Sequence, residues 1–174
     1  MSEELRREVD KYGTIRYYNK KGQYHRLDGP AVEYSDGTKD WYQNGRLHRL
    51  DGPAYEGSNG YKAWYQNGKY HRLDGPAVEH SDGTKEWWQN GRPHRLDGPA
   101  YEGSNGYKVW CKNGKLHRLD GPAIEWSDGT REWYIEGKEY SEKEFLEKTQ
   151  PATELTVAEI AKRLGINNLK IVKE

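Results

Sequence analysis

The residues best equipped for chemistry in this chain are histidines, arginines and aspartates that recur in one fixed setting. The heptapeptide His-Arg-Leu-Asp-Gly-Pro-Ala occurs five times without substitution, starting at His25, His48, His71, His94 and His117, so each copy begins 23 residues after the last. An imidazole three residues from a carboxylate can supply two metal ligands or a proton-transfer pair. Structural zinc, however, takes four N or S donors, and catalytic zinc takes three plus an open position. The sequence holds one cysteine, and none of the five histidines lies in a helical pattern. An active site is also one asymmetric constellation, whereas here the same side chains return five times. The pattern therefore implies no catalysis, no metal and no cofactor. His, Arg and Asp are expected to satisfy one another and the turn they sit in.

Two basic columns share the same period: Lys39, Lys62, Lys85, Lys108, Arg131, and Arg46, Lys69, Arg92, Lys115, Lys138. Glu33, Glu56, Glu79, Glu102 and Glu125 run beside them, so cross-strand opposite-charge pairs account for both columns without a phosphate ligand. Nucleic-acid binding by bases stacked on an exposed tyrosine row is the alternative. Cys111 takes the slot of Tyr42, Tyr65, Trp88 and Tyr134, which makes it packing material and not a nucleophile.

The elements that must position these residues follow from the turns. Each unit carries Asp-Gly-Pro, then Ser-Asp-Gly or Ser-Asn-Gly, then Asn-Gly, which becomes Glu136-Gly137 at the end. Asn-Gly and Asp-Gly favour the positive φ angles of two-residue hairpin turns. The runs between them hold only short strands. A parallel β-helix would stack the arginines roughly 4.8 Å apart, whereas an antiparallel meander with two strands per unit sets them roughly 10 Å apart, near the Debye length. The meander is the expected architecture: a mostly β, elongated antiparallel hairpin array with short helical caps.

Charge and composition agree. The 28 basic and 28 acidic residues cancel, which argues against a dedicated nucleic-acid binder. Leu, Ile, Val and Phe are scarce, while 7 Trp and 14 Tyr recur at regular places, so the core should be aromatics, prolines and alanines. No apolar run reaches membrane-spanning length, and residues 1–8 lack the apolar stretch of a secretory signal. A soluble, cytoplasmic protein is expected.

Residues 1–12 read as a short capping helix with Leu5 and Val9 on one face. The repeat domain spans 13–140. Ser141-Glu142-Lys143-Glu144 is a capping box that opens a helix over 141–148, laid on the last hairpin. Residues 149–154 read as a linker and 155–174 as a helix-strand tail. That tail resembles the first helix of a helix-turn-helix but lacks the recognition helix.

The Trp-Tyr-Gln-Asn-Gly-Arg-Leu-His stretch from Trp41 to His48, in tandem 23-residue hairpins, resembles MORN repeats over roughly residues 13–140. The Trp lies one residue further from the Asn-Gly than in that family, and Arg-Leu-Asp-Gly-Pro-Ala replaces its Gly-x-Gly. This is closer to a variant repeat of uncharacterised bacteriophage and giant-virus proteins. The resemblance implies sheet scaffolding for protein contacts, and binding of acidic membrane lipids as an alternative. Residues 25–70 and 71–116 agree at 38 of 46 positions, so units alternate in two kinds. In the even kind a Gly replaces Tyr34 and a Tyr replaces Thr38, which suggests a ring covering a neighbour's glycine. Positions that break the repeat, Tyr34, His80, Trp88, Pro93 and Trp126, are the expected anchors for a protein partner, since Tyr and Trp serve that role in interfaces. With the phage resemblance, that partner is a host protein, bound and inhibited as a defence factor.

Overall fold

Two turns of different kinds shape each unit, and together they explain why its strands are so short. The computed structural model describes residues 5–150 together with 161, 162 and 165. Two N-terminal strands, β1 (Arg6–Val9) and β2 (Ile15–Tyr18), precede the first full unit, which contains β3 (Val32–Glu33), β4 (Lys39–Asp40), β5 (Tyr42–Gln43) and β6 (Arg46–Leu47). Between β5 and β6, Asn44 and Gly45 both have left-handed φ (50° and 73°), which makes the expected two-residue hairpin turn. The turn recurs at Asn67, Asn90, Asn113 and Glu136 with their glycines.

The Asp-Gly turns differ from the two-residue expectation. Between β3 and β4 only Gly37 is left-handed, at φ 91°. Its N–H donates to the Tyr34 carbonyl at 3.0 Å, and the Tyr34 N–H donates to the Thr38 carbonyl at 2.9 Å. This is the three-residue loop with a glycine bulge. Asp36 is there for its carboxylate, which accepts the Thr38 N–H at 2.9 Å.

Strands equivalent to β3 and β4 add side by side through all five units, forming a 13-stranded antiparallel sheet that runs from β1 to Lys138–Tyr140. The meander expectation holds. Lys39 and Asp40 of one unit face Glu56 and Tyr55 of the next, and every later junction repeats this register. Alternation along the pleat then sorts the side chains. One face carries Val32, Asp40, Tyr55, Ala63, Val78 and Glu86 in neighbouring strands; the other carries Glu33, Lys39, Glu56, Lys62, Glu79 and Lys85. The core is thin and built from small residues: Ala31, Ala54, Ala77 and Ala123 are fully buried, with Val32 and Val78 beside them.

Neighbouring units meet at two kinds of seam. From an odd to an even unit the link is polar: Ser58 donates its N–H to Thr38 Oγ1 (3.2 Å) and its hydroxyl to Asp36 (3.3 Å), and Ser104 repeats this with Thr84 and Asp82. From an even to an odd unit the link is aromatic. Tyr61 meets His80 edge-on with centroids 5.2 Å apart, and Tyr107 lies 4.6 Å from Trp126. The ring over Gly57 is its own unit's Tyr55, whose Cε1 lies 3.2 Å from where a Cβ would stand, and not a neighbour's as expected.

The N-terminal segment is a strand, not the expected helix. A helix of that length is marginal alone, whereas β2 offers a ready edge, and β1 pairs with it from Arg6↔Tyr18 to Val9↔Ile15. Gly13-Thr14 repeats the Gly37-Thr38 loop, with Gly13 at φ 86° and Asp10 accepting from the Tyr12 and Thr14 N–H groups. All four β1 residues are exposed, and Arg6, Arg7 and Glu8 put charge on this end of the sheet. At the other end, α1 (Glu142–Thr149) begins at a capping box on Ser141 and Glu144, runs one residue into the expected linker, and buries Phe145 against the last two strands. The expected tail over 155–174 lies outside the described residues except for Ala161, Lys162 and Gly165; Gly165 has the left-handed φ of 67° that suits a helix stop.

Candidate functional site

The heptapeptide builds one corner per unit, and its arginine is the hub. Arg72 donates Nε–H to Asp74 (2.9 Å) and Nη1–H to both the Pro76 carbonyl (3.2 Å) and Glu79 (3.2 Å). Its guanidinium sits over Trp64, with Cζ 4.1 Å from the ring centre. Arg49, Arg95 and Arg118 repeat this on Trp41, Trp87 and Trp110, and Arg26 does so on Tyr17. A ring face attracts a cation, most strongly where water is excluded. The expected Arg–Asp pairing is present. The glutamates, set opposite the lysines by register, close their ion pairs with these arginines at 2.8–3.2 Å.

The Gly of Asp-Gly-Pro has no left-handed φ. Its role is space: a Cβ on Gly75 would stand 2.9 Å from Arg72 Cζ. The histidines also work at a distance. His71 Nδ1 accepts the N–H of Asn90, 19 residues on, so each corner holds the left-handed turn of the next hairpin; His25, His48, His94 and His117 do the same for Asn44, Asn67, Asn113 and Glu136.

With Arg and His turned inward, two side chains of each corner face solvent. Leu27, Leu50, Leu73, Leu96 and Leu119 are between 57% and 77% exposed, one per unit. The adjacent aspartates are between 82% and 86% exposed, and the arginine hydrogen bond holds each carboxyl below the usual carboxylate range. Between successive corners lie four equivalent grooves of about 540, 590, 500 and 590 Å³ in chain order. Each is floored by Trp41, Trp64, Trp87 or Trp110 and flanked by two leucines and two aspartates. Gln43, Gln66 and Gln89 line the first three, and Lys112 takes that place in the fourth. This ridge is the candidate site. Sequence reading favours the heptapeptide as an internal corner over a recognition surface and looks for a partner on the variable columns, although an exposed Leu-Asp pair beside an inward-turned Arg is the signal that marks the ridge.

Four of the positions singled out for breaking the repeat, Tyr34, His80, Trp88 and Trp126, lie on the opposite face, each beside an acid. Tyr34 donates its hydroxyl to Asp40 (3.1 Å); His80 Nε2 and Trp88 Nε1 share the two oxygens of Glu86 (2.8 and 2.9 Å); Trp126 Nε1 and the Tyr134 hydroxyl share Glu132 (2.7 and 3.1 Å). Pro93 is the strand partner of Trp88. His80, Trp88 and Pro93 thus come together, while Tyr34 and Trp126 stand one odd unit away on either side, 41% and 42% exposed. Asp40 is buried, and its carboxyl is raised by desolvation against the Tyr34 bond. Tyr34 is pushed up to about 12 by burial, with the Asp40 charge adding to it. The shorter Asp arm leaves one oxygen, Oδ1, without a donor among the described residues, where Glu86 and Glu132 use both. Cys111 is buried, and burial raises its thiol, in keeping with packing.

Among the described residues, no three His, Cys, Asp or Glu side chains converge to hold a metal. None of the described helices is long and apolar enough to cross a membrane. No protein-family model matches the chain, and no curated protein is similar to it.

Proposed function

We propose that this β-hairpin repeat chain, MORN-like in its units, is a non-catalytic protein-binding scaffold that engages its partner along the corner ridge. One observation carries the reading: five large apolar side chains stand exposed in a single row, at identical places, with a Trp-floored groove between each pair. Isolated exposed leucines need no explanation, but an apolar row rimmed by charge marks interaction sites. Lipid phosphates and nucleic acids suit the ridge poorly, because its outermost charges are aspartates. The phage resemblance, carried forward with this reading, makes a host protein the expected partner. Tyr34 and Trp126, still exposed on the other face, mark a second place for contacts.

The test is affinity capture with mass spectrometry from the natural host, using the intact chain and a variant with Leu50, Leu73 and Leu96 changed to Ser. The same partner should be captured by the intact chain and lost by the variant, with unchanged thermal melts. Equal capture by both, with loss in a Tyr34→Ala/Trp126→Ala variant, would move the interface to the opposite face.

A further inference from the structure

We propose that the groove row reads a polyproline-II segment of its partner that carries a basic side chain at every third residue. The inference rests on the scaffold reading and supplies the chemistry of its ligand. Each unit adds two strands to the sheet, and strands lie about 4.8 Å apart, so successive corners stand about 9.6 Å apart. A polyproline-II helix has three residues per turn and rises about 9.3 Å over them. Residues i, i+3, i+6 and i+9 of such a segment therefore meet the four grooves in turn. An extended strand repeats its side-chain direction every 6.7 Å or so, and an α-helix every 5.4 Å or so; neither presents one equivalent side chain per groove. The sheet twists by about 20–25° per strand, so successive grooves turn by roughly 45°. The ligand follows by rewinding about 15° per residue, within the scatter of real backbone segments.

Each arginine is held by two carboxylates and a ring, so a corner of Arg, Asp and Glu carries one excess negative charge, presented on the exposed Asp. The groove beneath offers Trp and Pro surfaces, the kind on which proline-rich segments dock with little loss of chain freedom. A Lys or Arg stem can lie along Leu73 and Trp87 while its head reaches Asp74 or Asp97. In the fourth groove Lys112 opposes a basic head, so that groove favours an uncharged third-position residue.

The probe is a fluorescently labelled peptide of four Lys-Pro-Pro triplets, followed by anisotropy against the intact chain. Controls are two triplets, a peptide of the same composition with its lysines contiguous, and four Glu-Pro-Pro triplets. Four triplets should bind at least about tenfold tighter than two, because added turns engage linked sites, and tighter than the contiguous-lysine peptide. Asp74→Asn with Asp97→Asn should weaken binding, while the Asn oxygen still accepts from Arg Nε and the melt stays cooperative. Lys112→Gln should strengthen it. Equal affinity for the contiguous-lysine peptide, preference for the Glu triplets, binding of a β-1,4-linked oligosaccharide in the peptide's place, or no peptide binding at millimolar concentration would each overturn the proposal. Loss of the captured host partner in the leucine variant, with every peptide silent, would leave the scaffold reading standing and remove this one.

Discussion

The two faces of the sheet use acidic residues in opposite ways. On the corner face, Asp28, Asp51, Asp74, Asp97 and Asp120 sit at the surface beside arginines that hold their carboxyls low. On the other face, Asp40 is buried beside tyrosines and its carboxyl is raised. Identity between copies thus coincides with an exposed ridge, and variation between copies coincides with internal hydrogen bonds. Invariance in a repeat serves two needs here, the inward hub of Arg and His and the outward row of Leu and Asp. The variable residues serve a different one: His80, Trp88, Trp126 and Tyr134 keep Glu86 and Glu132 supplied with donors, and Tyr34 supplies one to Asp40.

The largest effect that tests this division is expected at the hub. Arg72→Ala removes the cation from Trp64 and leaves Glu79 without its ion pair, which should lower stability by about 2–4 kcal/mol in denaturant melts. On the opposite face, Glu86→Ala strands both His80 and Trp88 and should cost about 1–3 kcal/mol. Asp40→Glu goes the other way. Glu132 spans to Tyr134, the counterpart of Tyr42, so the longer arm should engage the idle oxygen and add about 1 kcal/mol. An unchanged melt would show that Asp40 has room for water.

Acidity separates the faces by sign. The corner aspartates have folded values below their ordinary 3.8, so their contribution is present above that value and is lost as pH falls through the lowered range. Asp40 has a raised folded value, so its cost appears as pH rises from 3.8 through that raised value. Melts of Asp74→Asn should therefore lose less than the parent on acidification. Those of Asp40→Asn should gain on the parent as pH rises. Parallel curves for both variants would erase the contrast. The smallest effect is expected for Leu73→Ser, within about 0.5 kcal/mol because the side chain is already in water; a larger loss would make the ridge a structural element.

Much of this was legible in sequence because turns and charges act locally. The Asn-Gly turns, the antiparallel meander, the Arg–Asp pair and the Ser141 capping box all depend on residues within one or two units. What escaped depends on three-dimensional partners. Glu79 faces Lys85 in register, yet its ion pair is with Arg72, which the ring of Trp64 holds in place. Gly75 looks like a turn residue but is small because a guanidinium needs its place. Residues 6–9 have a helical pattern, and an available strand edge decides otherwise. The exposed leucines could be recognised only once the arginine before each was seen to turn inward onto a ring while the aspartate after it stayed in solvent.

The alternating seams also constrain how such a chain can change length. A polar junction always leads into an aromatic one, so an odd unit has neighbours only of the even kind. Removing the second unit would set Tyr34 and Thr38 against another loop of their own type, with Ser81 where Ser58 stood but no Tyr61 for His80 to stack on. Removing or adding two adjacent units keeps every junction intact. The heritable step for this architecture is therefore 46 residues, and lineages of such chains should differ by whole pairs of hairpins, each pair bringing two more grooves to the row.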